Sequence, residues 1–241
     1  MKKIALFGVF VLLLQCTDSP DKEIHINALY TSRSLMIDGV LREPPWELAT
    51  PIVLKENRSG NDVSDARLQT TVKTCYDDST LYFAFVCNDP DIWTSFTQRD
   101  EHLWEEEAVE IFIDVDNEIE SYVEIEVSPA NVLFDSYIVD PENIDVPQTA
   151  LFNLPGIKTA VNVSGTLNKR DDTDDKWTVE IAIPFADLTN KNISRVNKET
   201  DIKINFYRLD QNRDMQRMSY AWSPTGGRFH KPEVFGALIF K

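Results

Sequence analysis

An all-β fold, an antiparallel β-sandwich of jelly-roll or immunoglobulin-like kind with little helix, is what this sequence predicts. Three observations carry the expectation. Short apolar-rich runs with a period of two recur from one end of the chain to the other. Asp, Asn, Pro and Gly separate them at turn-like spacing. A length of 241 residues suits one β domain.

Taken in order, strands are expected near residues 24–30, 35–38, 50–55, 67–76, 81–88, 109–115, 121–128, 132–139, 157–164, 176–183, 202–209, 216–223 and 235–241. Helical signal is confined to Glu47 and its neighbours after Pro44-Pro45, and to a turn at Phe185–Leu188 after Pro184. Proline suits the first turn of a helix because its missing N–H has no intrahelical partner there. Many short strands of this kind pack as two layers. Residues 141–156, with three prolines and few periodic apolar positions, read as a surface excursion.

The first 15 residues stand apart from that pattern. Lys2 and Lys3 precede an apolar run from Ile4 to Leu14, the arrangement of a secretory leader and too short for a transmembrane helix. Leu13-Leu14-Gln15-Cys16 resembles a bacterial lipoprotein box, with Cys16 as the lipidated first residue; ordinary secretion with an incidental Cys16 is the other reading. The expected organisation is a signal peptide over 1–15, a short polar tether over 16–23 and one β-sandwich over 24–241. That places the protein in the bacterial cell envelope, touching the membrane only through its lipid.

Charge narrows the partners. The net charge is −16, with no basic stripe, which argues against nucleic acid and anionic lipid surfaces. Cys75 and Cys87 fall near opposite ends of a hairpin turning at Asp77-Asp78-Ser79-Thr80, too far apart to bridge, and read as small buried hydrophobes.

Trp104 to Asp116, WEEEAVEIFIDVD, is the most chemical stretch. Val109, Ile111 and Ile113 share one strand face, and Glu110, Phe112 and Asp114 the other. In Tyr122–Ser128 the same alternation sets Glu124, Glu126 and Ser128 against Val123, Ile125 and Val127. An indole covers the C–H face of a sugar ring, and carboxylates accept hydrogen bonds from its hydroxyls. The bland reading is an edge tryptophan beside a solvated acidic turn.

Several carboxylates crowding one sheet surface need compensation. Arg99, Arg208 and Arg213 are the candidate arginines; a structural Ca²⁺ is the alternative, with no position assigned. Asp114, Asp116 and Glu118 have the spacing of a calcium loop's opening but lack its glycine and distal glutamate. Arg99, close to Trp104, is expected at the binding pocket; Arg208, in core parity with Ile204 and Phe206, is expected to pair with an acid inside. Glu110 and Glu126 could in principle act as a glycosidase pair. With no phosphate loop, nucleophile elbow or zinc spacing, however, catalysis is not expected.

Ile37-Asp38-Gly39-Val40 with Pro45-Trp46, Tyr76-Asp77-Asp78 with Leu81-Tyr82, Trp104–Asp114, Trp177–Pro184, Ala221-Trp222-Ser223-Pro224 and Phe229–Gly236 follow one another in the order of a known pattern. Together they resemble a family 9 carbohydrate-binding module over roughly residues 35–241. The resemblance implies a sandwich related to the DOMON type that binds oligosaccharide or polysaccharide without cleaving it. It implies two aromatic walls around a terminal sugar, Trp104 matching the first and Phe229 the second, with His230 beside it and Glu110 as an acidic hydroxyl contact. Glu126 stands where sugar-binding members carry Arg, and Gly226 where an Asn would touch the ligand. Glycoside hydrolases or uptake proteins are the partners such a module would serve. The alternative is a DOMON-like interaction or haem-sensing module without sugar binding, for which Met215, Met218 and His230 are the clustered axial candidates.

Overall fold

The computed structural model of the chain describes residues 24–241 apart from 190, 191, 193 and 215. The leader, Cys16, the tether and Met215 lie outside the described residues. In chain order the strands are β1 (His25–Tyr30), β2 (Ile52–Val53), β3 (Lys55–Glu56), β4 (Thr70–Tyr76), β5 (Thr80–Asn88), β6 (Ala108–Asp114), β7 (Tyr122–Val127), β8 (Leu133–Ile138), β9 (Lys158–Ser164), β10 (Lys176–Pro184), β11 (Ile202–Gln211), β12 (Arg217–Ala221) and β13 (Gly236–Phe240). Two short helices join them, α1 (Pro44–Leu48) and α2 (Val146–Thr149). No helix among the described residues is long and apolar enough to cross a membrane.

One layer runs β8-β7-β6-β11, with β12 and β13 dividing the far side of β11 between them. The other runs β4-β5-β10-β9, with β2 on β4. Antiparallel pairing dominates, as expected of a sandwich. The exception is β1, which runs parallel to β13 through His25–Ala28 and then parallel to β4 through Leu29–Tyr30, joining the layers along one edge.

The alternation read from the sequence decides which side chains meet between the layers. Val109, Ile111, Ile113, Val123, Ile125, Ile204 and Phe206 face Phe83, Phe85, Trp177, Val179, Ile181 and Ile183 in one buried cluster. Phe206 meets Phe83 and Phe85 edge-on at 5.7 and 5.9 Å. Each such side chain contributes about 1.5–3 kcal/mol by leaving water. Cys75 and Cys87 are both buried and free, on β4 and β5. Cys87 pairs with Thr70 and Cys75 with Tyr82, which puts the two thiols far apart along the hairpin.

Arg208 enters this apolar interior, as its parity predicts. Its guanidinium bonds Asp89 at 2.8 Å, Thr70 Oγ1 at 3.1 Å and the Asn88 carbonyl at 2.7 Å, with Asp210 at 3.5 Å. Burial alone would drive it toward the neutral form; the Asp210 and Asp89 carboxylates outweigh that and hold its pKa above the ordinary range.

The strand expected at 35–38 does not form. The Glu180 carboxylate accepts the backbone N–H groups of Asp38 and Gly39 at 2.9 and 2.8 Å, and the Trp46 indole N–H at 2.8 Å. A side chain has taken the donors a ladder would need. Leu35 and Ile37 pack instead beside Trp46 in a small cluster on the back of the second layer.

Candidate functional site

Strand register builds a site on the outer face of the first layer. β6 is its central strand. Glu110 lies opposite Glu126 on β7 and Tyr207 on β11; Phe112 lies opposite Glu124 and Asn205. The next pairing sets Phe134 beside Glu126 and Ser136 beside Glu124 on β8. Three glutamates therefore share one patch of sheet, and all three are buried.

They are buried because other segments wall the patch into a cleft of about 730 Å³. Trp104, Phe134, Phe229, His230, Glu110 and Glu124 line it. Trp104 is a braced plate, with Phe134 against its edge at 5.1 Å and the His102 ring stacked on it at 4.4 Å. Opposite in kind, Phe229 stacks on Tyr207 at 4.4 Å and 10°. The Tyr207 hydroxyl donates to the Phe229 carbonyl at 2.9 Å and accepts from Asn205 Nδ2 at 2.7 Å, which fixes that wall to β11. Gly226 and Gly227 take positive φ in the turn leading to it, a conformation glycine adopts freely.

His230 lies flat on Phe112 at 5.2 Å, and its Nδ1 is 2.6 Å from the Tyr122 hydroxyl. Burial, reinforced by Arg228, lowers its pKa to about 4, so the ring is neutral near pH 7. Met218 shares the cleft with it.

The expected compensation of the glutamates by Arg99, Arg208 or Arg213 is not what the structure shows. Arg99 bonds Asp135 and lies near Asp100, and it is not among the residues lining the cleft, contrary to its expected place there. Arg208 is in the core, and Arg213 is 3.4 Å from Asp91. Each of these arginines pairs with an acid outside the cluster. Asp114 holds no ion-loop geometry either: it caps the β6–β7 turn, accepting the backbone N–H groups of Asp116, Asn117 and Ile119.

Desolvation therefore sets the protonation of the cluster. It raises Glu110 and Glu126 well above the ordinary carboxylate range; the charge of Glu124 adds to both and that of Glu110 to Glu126, while Arg217 pulls Glu110 back in part. Glu124 is raised to about 7, again by burial, against the pull of its hydrogen bond from Ser136. A carboxyl raised in the folded state favours the fold while protonated. That contribution is complete below the unfolded value of 4.5 and is lost as pH rises through the folded one. In chelating buffer, urea midpoints are expected to fall between about pH 4.5 and pH 7 more steeply for the wild type than for Glu124→Gln. Parallel profiles would contradict this account.

Of the residues expected at the site, Trp104, Glu110, Phe229 and His230 line one cleft, and Glu126 is the cross-strand neighbour of Glu110 on β7. Sequence reading missed Phe134, and also Arg58, Arg217 and Arg228 at the cleft. It also missed Ile144, Val146 and Thr149, which the 141–156 excursion contributes to the lining. The parity of Phe134 on β8 was an available signal; the arginines arrive on strand ends and turns and carry none.

Comparison with known proteins identifies the fold and the family. An "Extracellular protein" of Arthroderma benhamiae (strain ATCC MYA-4681 / CBS 112371) is 28% identical over 180 residues, covering 71% of this chain and 78% of that protein. A crystal structure from Bacteroides uniformis ATCC 8492, assigned as a carbohydrate-binding protein, superposes with a TM-score of 0.69 at 15% identity, covering 91% of this chain and all of that one (100%). A family 9 carbohydrate-binding module from Caldicellulosiruptor kristjanssonii, solved with cellotriose, superposes with a TM-score of 0.64 at 16% identity, covering 90% and 94%. These structural likenesses establish the shared β-sandwich fold. The model of the carbohydrate family 9 binding domain-like family matches residues 37–241, a family of binding modules and not of catalysts. With that match across most of its length, the chain belongs to the carbohydrate family 9 binding domain-like family.

Proposed function

We propose that this protein is a non-catalytic carbohydrate-binding lipoprotein of the bacterial cell envelope, accessory to the breakdown or uptake of polysaccharide. Trp104 and Phe229 cover the apolar faces of a sugar, while Glu110 and the neutral His230 read its hydroxyls. Cys16 supplies the lipid anchor, and residues 17–23 the tether that presents the module to glycoside hydrolases or uptake proteins. One observation carries the reading: two aromatic side chains, each braced by a second ring, border a cleft whose floor is acidic. Sugars combine apolar C–H faces with hydroxyl edges, and a site of this kind complements both. Modules of Caldicellulosiruptor kristjanssonii solved with cellotriose and with glucose share the fold and support the ligand class.

The test is calorimetric titration of the protein with glucose, cellotriose and a broad panel of plant, algal and host glycans. Saturable binding to at least one, lost on replacing Trp104 with alanine, is the expected result. Silence across the panel would sink the sugar reading and leave an interaction module.

A further inference from the structure

Two clusters of three buried acids exist among the described residues, and they are resolved differently. Asp89, Glu107 and Asp210 gather around Arg208, whose guanidinium bonds the first and lies close to the last. Glu110, Glu124 and Glu126 have no such partner. One carboxylate oxygen from each lies within 4.8 Å of the others. Glu126 is fully buried, and neither of its oxygens meets a hydrogen-bond donor; Glu110 Oε1 is likewise orphaned. The Trp104 backbone amide draws Glu126 slightly without completing a hydrogen bond. Only Glu124 is served, by the Ser136 hydroxyl at 2.8 Å. Arg217 is the cation whose field reaches Glu110, but its guanidinium donates to the Trp104 carbonyl and forms no ion pair with the cluster.

We propose that Glu110, Glu124 and Glu126 form a seat for one divalent cation, Ca²⁺, at the floor of the cleft. The donor set is oxygen alone, which selects a hard ion. Ca²⁺ takes flexible oxygen shells at about 2.3–2.6 Å, whereas Mg²⁺ demands a near-ideal octahedron at about 2.0–2.1 Å and keeps most of its waters, which a buried all-carboxylate patch suits less well. Buried carboxylate oxygens without donors are accounted for by a bound cation or by protons, and three carboxylates converging on one point suit the cation. Glu110 and Glu124 line the cleft, so the coordination positions the protein leaves open face its interior, where water or a ligand hydroxyl completes the shell. The seat stands independently of which ligand enters the cleft above it.

The experiment is calorimetric titration of the calcium-stripped protein with CaCl₂, alongside melting curves in calcium and in chelator, with no sugar present. The wild type is expected to bind one equivalent and to melt higher in calcium. Glu126→Gln, which preserves shape, is expected to weaken binding by at least about tenfold, because ligand charge sets affinity in such sites. Its melting temperature should not respond to calcium, while in chelator it melts at or above the wild type. Asp210→Asn should retain the site. Glu124→Gln, read in the same way, serves if Glu126→Gln does not fold. Absence of any response to millimolar calcium in the wild type would overturn the proposal and leave the cluster holding protons. A response that survives in Glu126→Gln would overturn it too, by placing the ion elsewhere.

Discussion

Replacing Arg208 with methionine is expected to destabilise the fold by about 3–5 kcal/mol. The side chain is fully buried, and methionine fills much of its volume, so packing is not what is lost. What is lost is the counter-charge of three buried acids, Asp210 on β11, Asp89 just past the end of β5 and Glu107 just before β6. Breaking a buried pair leaves an uncompensated charge in low dielectric, which costs far more than the intact pair contributes. Burial already raises Glu107 well above its ordinary range, and the other two acids add to it. The guanidinium's pull is what holds Glu107 and Asp210 down against burial, so without it both rise further and the loss should be greater at pH 8 than at pH 5. Urea denaturation at the two pH values measures it. A loss below about 1 kcal/mol at both would show that the network is near neutral in its net effect. Pairing the change with Asp89→Asn and Asp210→Asn should recover part of the stability, since the charges are then removed together.

Trp104→Ala is expected to cost sugar affinity on the order of fiftyfold while leaving the fold intact. An indole in contact with a sugar ring over about 100 Å² of apolar surface supplies about 2.5 kcal/mol, and each 1.4 kcal/mol is tenfold in Kd. Trp104 packs at the edge of a small satellite cluster with Leu103, Ala108 and Phe134, outside the main core, so its removal leaves the sandwich interior untouched. Trp104→Phe should recover part of the loss, because a ring remains to be braced by Phe134. Titration with the best glycan of the panel, with a melting curve beside it, separates lost contact from lost structure. An unchanged Kd would show that Trp104 is an edge residue and that ligand binds elsewhere.

The layers and their parity were legible because side chains on a strand alternate whatever lies around them. Val109, Ile111 and Ile113 had to be inside once Glu110 and Phe112 were outside. Arg208 could be read the same way, since its parity with Phe206 sent it inward and burial demanded an acid. Failures began where one segment's fate depends on another far away in the chain. Leu35 to Asp38 alternates like a strand, yet Glu180, 142 residues beyond Asp38, takes the backbone donor a strand would need. Arg99 is close to Trp104 in sequence, yet Asp135 on β8 turns it from the cleft. Residues 141–156 lack a period and were read as surface, although Ile144 and Val146 face the cleft. The three glutamates were expected on one face, but nothing in their spacing could show that no arginine among the described residues would form an ion pair with them.

The position of β1 has a kinetic consequence. Its residues pair with the last strand of the chain, Ala28 beside Phe240, before crossing to β4. β1 therefore cannot complete its ladder until β13 has been synthesised. Joining ends so distant in sequence sets the loop-closure entropy against folding until late, the condition under which β-rich chains fold slowly. A chain still emerging from the ribosome thus holds β1 without β13, and the sandwich stays unsealed along that edge until β13 has emerged.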